Sequence, residues 1–400
     1  MSRRAVGAIL LLGILLRLRG VFTDFWLDEI WGLRIALAAP SWLALITRIH
    51  ADTNHPLVSI YMHALGPLRH WEWYRLFSLA CGIGTMVLIR DRTYRILAAL
   101  AFPLIVYSSE ARGYAPAAFF LVVAYVTRRR FVFGIAIILA MLSHLSAVAV
   151  YLGFLAVDLG APASRRLAAR RLASGGGTPP GQPARTPALH ILPIAFGIWY
   201  YIVKVRHLVP GGGPRWTPDL VTIALGAATL AVVAIEIVRR ARARDHDALF
   251  FAVALFVGPA IAAISYRCPC VLPRHFFVCV PFVLILFASF FERQRWLIAV
   301  FVLLNVIPLV PFLRYGRGQY DRALHDIAGT VGGDSEFRDR MLIDFYNPSL
   351  RYGAPSPEWL LIENPRPIPG YVLWREYPYG GVSGWTWYVY RLSKPASIQR

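Results

Sequence analysis

Lysine is almost missing from this 400-residue chain: Lys204 and Lys394 are the only two, and nearly all the positive charge is carried by arginine. Charged residues of any kind make up 16%, against 57% hydrophobic residues and a mean hydropathy of +0.52. A soluble domain of this length needs more polar surface than that to cover itself, so the composition excludes one. Cysteine is equally scarce. Cys81 lies inside an apolar run, Cys268 and Cys270 flank a proline, and Cys279 follows alone. That spacing supplies neither a disulfide framework nor a closely spaced metal site. No internal repeat divides the chain into halves, which speaks against the inverted-repeat architecture of many transporters.

Apolar runs, in contrast, are abundant. Candidate spans cover roughly 5–23, 75–89, 95–108, 114–127, 131–144, 145–160, 189–206, 219–238, 247–266, 275–291 and 296–313. The expected class is therefore an α-helical polytopic membrane protein with about eleven transmembrane helices. A net charge of +20 would suit nucleic acid, but the arginines fall in short clusters between the runs, as topology signals do. With Arg3 and Arg4 inside, alternation also places 90–95, 128–130, 161–188, 239–246 and 292–295 on the cytoplasmic side, and each carries arginines. The start "MSRRAVGAILLLGILLRLRG" has a signal-like basic and apolar pattern without a small-residue cleavage site, so it reads as an uncleaved first span. The stretch 161–188 mixes arginines with "SGGGTPPGQPARTP" and reads as a flexible cytoplasmic linker.

The remaining loops gather ionisable residues on the opposite, outer side. Charged groups at membrane depth are costly and usually functional. The first outer stretch, 21–74, contains "FTDFWLDEIWGL" (22–33) with the adjacent acids Asp28 and Glu29. Neighbours on a helix point about 100° apart, so one acid can act as a base while the other anchors the local fold. As a bland alternative, the pair merely caps the helix that follows. Within "DTNHPLVSIY" (52–61), Asp52 can cap, Pro56 can open a helix, and His55 is then held at its start. "SSEARGYAP" (108–116) offers Arg112 for bidentate phosphate contact, with Glu110 to orient it or bind a sugar hydroxyl. "LPRHFF" (272–277) adds Arg274 and His275, which otherwise serve as interfacial anchors. His144 and Arg17 are polar residues in apolar surroundings with weaker claims. From about 314 onward the chain is too polar to span. "YGRGQYDRALHDIAGTVGGD" reads as a loop entering an amphipathic helix, and "RMLIDFYN" and "WTWYVYRL" read as strands. Two domains are thus expected: a membrane domain, 1–313, and an extracytoplasmic α/β cap, 314–400.

Taken together, an acid pair in the first outer loop, "D-x-x-H-P", "S-x-E-A-R-x-Y" and a late "P-R-H" resemble the membrane glycosyltransferases of the GT-C class. The nearest kin by these motifs are the family 39-like enzymes, which include protein O-mannosyltransferases and lipid A aminoarabinose transferases. The resemblance is firmest from residue 1 to about 150. It implies an inverting transfer of one sugar from a polyprenyl-phosphate donor, at the outer face of an inner or plasma membrane, to a lipid, glycan or protein acceptor. Asp28 matches the family's catalytic base and Glu29 its neighbour. Asp52, His55 and Pro56 match the second motif, Glu110, Arg112 and Tyr114 the third, and Arg274 a basic position near the donor phosphate; His275 and His144 complete the donor side. Two departures are Leu57, where the family usually has a second proline, and Gly113, where it has a proline before the tyrosine. No cofactor or metal is required by the residues, although a divalent ion bridging Asp28 and the phosphate is compatible with them. Partners are the lipid-linked sugar, bilayer lipids and the acceptor, and no nucleic acid is expected. Competing expectations are a glycan ligase or polymerase of the same fold, a flippase of lipid-linked intermediates, and a non-catalytic assembly factor.

Overall fold

Every apolar run picked out above folds as helix in the computed structural model, which describes residues 2–51, 54–127, 129–160, 190–208, 219–245, 247–265, 273–381 and 383–393. The linker 161–188, Asp52, Cys268 and Cys270 lie outside the described residues.

Among the described residues, four helical stretches are long and apolar enough to cross a bilayer: Leu220–Arg242, Asp247–Ile264, Arg274–Phe291 and Trp296–His325. The chain is therefore a helical membrane protein, but helix length does not carry the expected count of about eleven crossings. The reason is local. Helix α1 (Arg3–Val21) has arginines at both ends, leaving residues 5–16 between Arg4 and Arg17. The run 95–108 is broken at Ala101 into α6 (Arg92–Leu100) and α7 (Phe102–Ser108), with Pro103 opening the second piece. At that break the amide of Phe102 donates to Asn305 Oδ1 at 2.7 Å, so a side chain from the last long helix seals the gap. The buried Arg17 donates to the carbonyls of Gly13, Ala98 and Ala99 at 2.7–3.0 Å. It is a stitch across this break, not a site residue. The run 131–160 divides at His144 into α9 (Arg130–Ser143) and α10 (Ala147–Gly160). Helices of 13 or 14 residues, such as α8 (Tyr114–Val126) and α9, rise only about 20 Å, short of ~30 Å of hydrocarbon.

Between α1 and the next long helix, α5 (Glu72–Leu88), come three shorter helices. They are α2 (Leu27–Ala38), α3 (Trp42–Thr47) and α4 (Pro56–Leu65), in the stretch expected to lie outside. Ser41 caps α3 by accepting from the Ala44 amide, and Pro56 occupies the first turn of α4, where a missing N–H costs nothing. Helix α11 (Ile191–Val203) packs against α9 and ends in the turn Val205–His207.

Beyond Gly316, whose φ of 66° lets the chain leave the last long helix, a five-stranded sheet forms. Its order is β2–β1–β3–β5–β4, with strands Arg351–Tyr352, Thr330–Gly333, Trp359–Ile362, Trp387–Leu392 and Tyr371–Tyr377 in that spatial sequence. β1 runs parallel to β2 and β3, while β3–β5 and β5–β4 are antiparallel. The stretch "RMLIDFYN" is helical, within Glu336–Tyr346, and not the expected strand. Ser335 caps it, and Met341, Leu342, Ile343 and Tyr346 bury a helical face that its β-branched and aromatic content had disguised. One hydrophobic core joins this sheet to the stretch between α1 and α5: Phe25, Ile30 and Leu33 pack with Leu342, Leu361 and Trp387. Tyr346 donates to the Phe25 carbonyl at 2.6 Å, and the Asp321 amide to Asp24 Oδ2 at 3.0 Å. The cap and the loop carrying Asp28 are thus a single packed unit.

Candidate functional site

Residues from four distant segments meet at the start of α2. Asp28 sits in its first turn, and its Oδ2 accepts from Arg112 Nη1 at 2.7 Å, with Arg274 Nη1 at 3.9 Å. Arg112 Nη2 faces His55 Nε2 at 3.4 Å. Guanidinium only donates, so that ring nitrogen must be the acceptor and the proton resides on Nδ1. Burial, the neighbouring His144 and Arg112 hold His55 well below its ordinary histidine range, consistent with that neutral form. His55 stacks on His144 at 5.0 Å, and His144 lies 4.6 Å from the Tyr114 ring. The Arg112 guanidinium lies over the rings of Trp26 and Tyr114, 5.6 and 5.0 Å from their centroids. Arg274 and His275 stand in the turn Pro273–Cys279 that opens a long helix, and His275 is within electrostatic reach of His144. The Nε atoms of both Arg112 and Arg274 are buried without a hydrogen-bond partner among the described residues. Two guanidinium groups with spare donors beside one carboxylate are the makings of an anion site.

Glu29 points elsewhere, as the helical 100° step requires. Its carboxylate takes Arg75 Nε and Nη2 at 2.8 and 2.6 Å, and Oε1 also accepts the Ala111 amide at 2.7 Å. Burial alone would raise its pKa, but Arg75 outweighs this and holds it below the usual carboxylate range. Both partners are fully buried. The role shown for Glu29 is therefore to fasten α2 to the Arg112 loop. Glu110 does not orient Arg112 either. It pairs with Arg317 at 3.1 Å and accepts from Ser383 Oγ at 2.7 Å, because the cap's neck brings a guanidinium to it from the other side. The loop 109–113 is thus held by two sealed ion pairs, which present Arg112 between them. Of the expected site residues, Asp28, Arg112, Arg274, His55, His144 and Tyr114 converge, with His275 adjoining. Glu29 and Glu110 are braces, and Asp52 lies outside the described residues.

Sequence reasoning missed Arg75, Arg317 and Trp26. Arg75 was absorbed into a candidate span. Arg317 carried one readable signal: it stands between two glycines directly after the last apolar run, at φ of 66° for Gly316 and 156° for Gly318. It donates to Glu110, Thr23, Ser109 and the carbonyls of Gly20 and Val106. Gly113, one of the two departures from the family pattern, also has a steric cause. A Cβ there would fall 1.7 Å from the Ser143 carbonyl oxygen and 3.0 Å from the His55 ring, so no side chain fits. Leu57, the other departure, packs with Ile46, Leu142 and Tyr200. Among the described residues, no three His, Cys, Asp or Glu side chains group as metal ligands.

Compared with known proteins, the chain matches no family model, no curated protein and no solved structure.

Proposed function

We propose that the protein is an inverting glycosyltransferase of the GT-C kind, moving a single sugar from a polyprenyl-phosphate donor to an acceptor on the outer side of a cell membrane. In this reading the N-terminus is cytoplasmic, the cap and the Asp28 site are extracytoplasmic, and the shorter helices complete a bundle of about eleven crossings. The observation that carries the proposal is the meeting of Arg112 and Arg274 on one oxygen of Asp28, from segments 84 residues apart and more.

The chemistry follows from that meeting. An arriving phosphate competes with Asp28 for the two guanidinium groups, whose unpaired Nε donors add to its attraction. As Arg112 and Arg274 turn to the phosphate, Asp28 loses its counter-ions and becomes a stronger base. It then takes the proton from the acceptor hydroxyl or amine, whose heteroatom attacks the anomeric carbon opposite the departing oxygen. The sugar–phosphate bond breaks, and polyprenyl phosphate leaves with its negative charge held by the arginines. Neutral His55 keeps Arg112 aimed without adding a competing charge. The test is transfer of radiolabelled sugar from lipid-linked donors in membranes from cells producing wild type or Asp28→Asn. Loss of about 10²–10⁴-fold is expected for a missing general base. Near-normal transfer by the variant would refute the assignment.

A further inference from the structure

The two stacked histidines of the site carry their protons on opposite nitrogens. His144 stands in the break between α9 and α10: its amide donates to the Ala140 carbonyl, and its carbonyl accepts from Ala147 at the start of α10. In that break its ring turns back on its own chain. Nδ1 accepts the Ser146 amide at 3.2 Å, and the Ser146 hydroxyl is 2.7 Å from the same nitrogen. A backbone amide can only donate, so Nδ1 carries no proton and the hydroxyl donates to it as well. An imidazolium, protonated on both nitrogens, does not fit that arrangement. His144 is therefore neutral with its proton on Nε2, whereas His55 gives its Nε2 to Arg112 and keeps the proton on Nδ1.

The His144 ring lies 5.0 Å from that of His55 and 4.6 Å from that of Tyr114, and these two stand 5.8 Å from each other. Both of those residues lie against Arg112. The charged and titratable groups acting on His144 are His275, Arg112 and Arg274, and burial together with them holds its pKa well below the ordinary histidine range. Ser146 acts in the same direction, because its hydrogen bonds to Nδ1 are lost when that nitrogen takes a proton. A neutral N–H beside two guanidinium groups gives one more hydrogen bond to an anion they attract, and adds no charge to repel them.

Resting on the glycosyltransferase reading for the identity of the anion, we propose that Ser146 is a positioning residue: it fixes His144 as a neutral Nε2–H donor to a phosphate oxygen of the lipid-linked sugar. The full chain, isotope-labelled at its histidine ring nitrogens and purified in a non-ionic detergent, is observed by NMR, and His144→Gln identifies the His144 signals by their loss. His144 should show an unprotonated Nδ1 and a protonated Nε2, and polyprenyl phosphate should shift the Nε2 signal. Ser146→Ala should raise the pH at which the ring takes its second proton, and Ser146→Thr should restore it. A serine that merely capped α10 would change the melting temperature and leave that pH alone. Affinity for polyprenyl phosphate gives a second reading. Gln places an amide N–H near the position of Nε2 and Asn near that of Nδ1, so His144→Gln should bind close to wild type and His144→Asn on the order of tenfold more weakly. A protonated Nδ1 in the wild type, or a Ser146→Ala ring that titrates as in the wild type, would overturn the positioning role. Equal affinities of the two His144 variants would overturn the phosphate contact. Should the wild type bind no polyprenyl phosphate, the assigned reaction and the phosphate contact fall together, while the tautomer is still read without any ligand.

Discussion

Two kinds of ion pair lie within a few residues of each other around the start of α2, and they are built for opposite purposes. Arg75–Glu29 and Arg317–Glu110 are fully buried, and the two arginines reach carbonyls and hydroxyls besides their carboxylates. Arg112–Asp28 is partly open, with 7% and 15% of the side chains exposed, and Arg274 stands off at 3.9 Å with a donor to spare. A sealed pair has no donor left for a ligand, so its use is to hold backbone in place. The open group can exchange one anion for another. Adjacent acids, Asp28 and Glu29, thus belong to different machines because a helix turns them to different neighbours.

The comparison can be broken first at the sealed side. Arg75→Met leaves the Glu29 carboxylate buried without its partner, and the expected cost is about 3–5 kcal/mol, read as a collapsed melting temperature in detergent or loss of folded protein. The double variant Arg75→Met, Glu29→Leu should recover much of that, since it removes both charges together. Arg317→Met should cost a similar amount or slightly less, and limited proteolysis should then release the cap from the membrane helices. If either single variant is as stable as wild type, the sealed pairs are not structural braces.

A smaller effect sits within the cap. Burial, with Glu363 adding to it, pushes the Asp339 carboxyl up to about 7, against an ordinary value near 4. Below pH 4 both folded and unfolded chains hold that proton. As pH rises to 7 the unfolded chain releases it while the folded chain keeps it, so this group's contribution to stability declines across that window. Asp339→Asn should therefore gain melting temperature relative to wild type at pH 8 and gain little at pH 4. A difference that does not change with pH would contradict the assignment. The smallest effect belongs to the surface pair Arg340–Glu336, with both side chains more than half exposed. Arg340→Ala should change stability by less than about 0.5 kcal/mol.

How much of this was readable in the sequence follows the same division. The open group was legible because its members sit between apolar runs, where ionisable residues stand out. Asp28, Arg112, Arg274 and His55 could all be named from their loops. Their braces were not legible as such. Arg75 hides inside an apolar helix, and Glu110 looks like a partner for Arg112 until the cap delivers Arg317 to its other side. The apolar runs were all found, but hydropathy counts residues and does not see a break such as Ala101, so the runs outnumber the helices of spanning length among the described residues. Helix Glu336–Tyr346 was mistaken for strand because its buried face decides its form, and its residue types favour the other.

The most direct test of the exchange at Asp28 is binding of polyprenyl phosphate, without sugar, to purified wild type, Asp28→Asn and Arg112→Gln. Removing the carboxylate that competes for Arg112 should leave binding equal or tighter in Asp28→Asn while transfer is lost, and Arg112→Gln should weaken binding on the order of tenfold or more. Weaker binding in Asp28→Asn, or unaltered binding in Arg112→Gln, would contradict a phosphate site built on that pair.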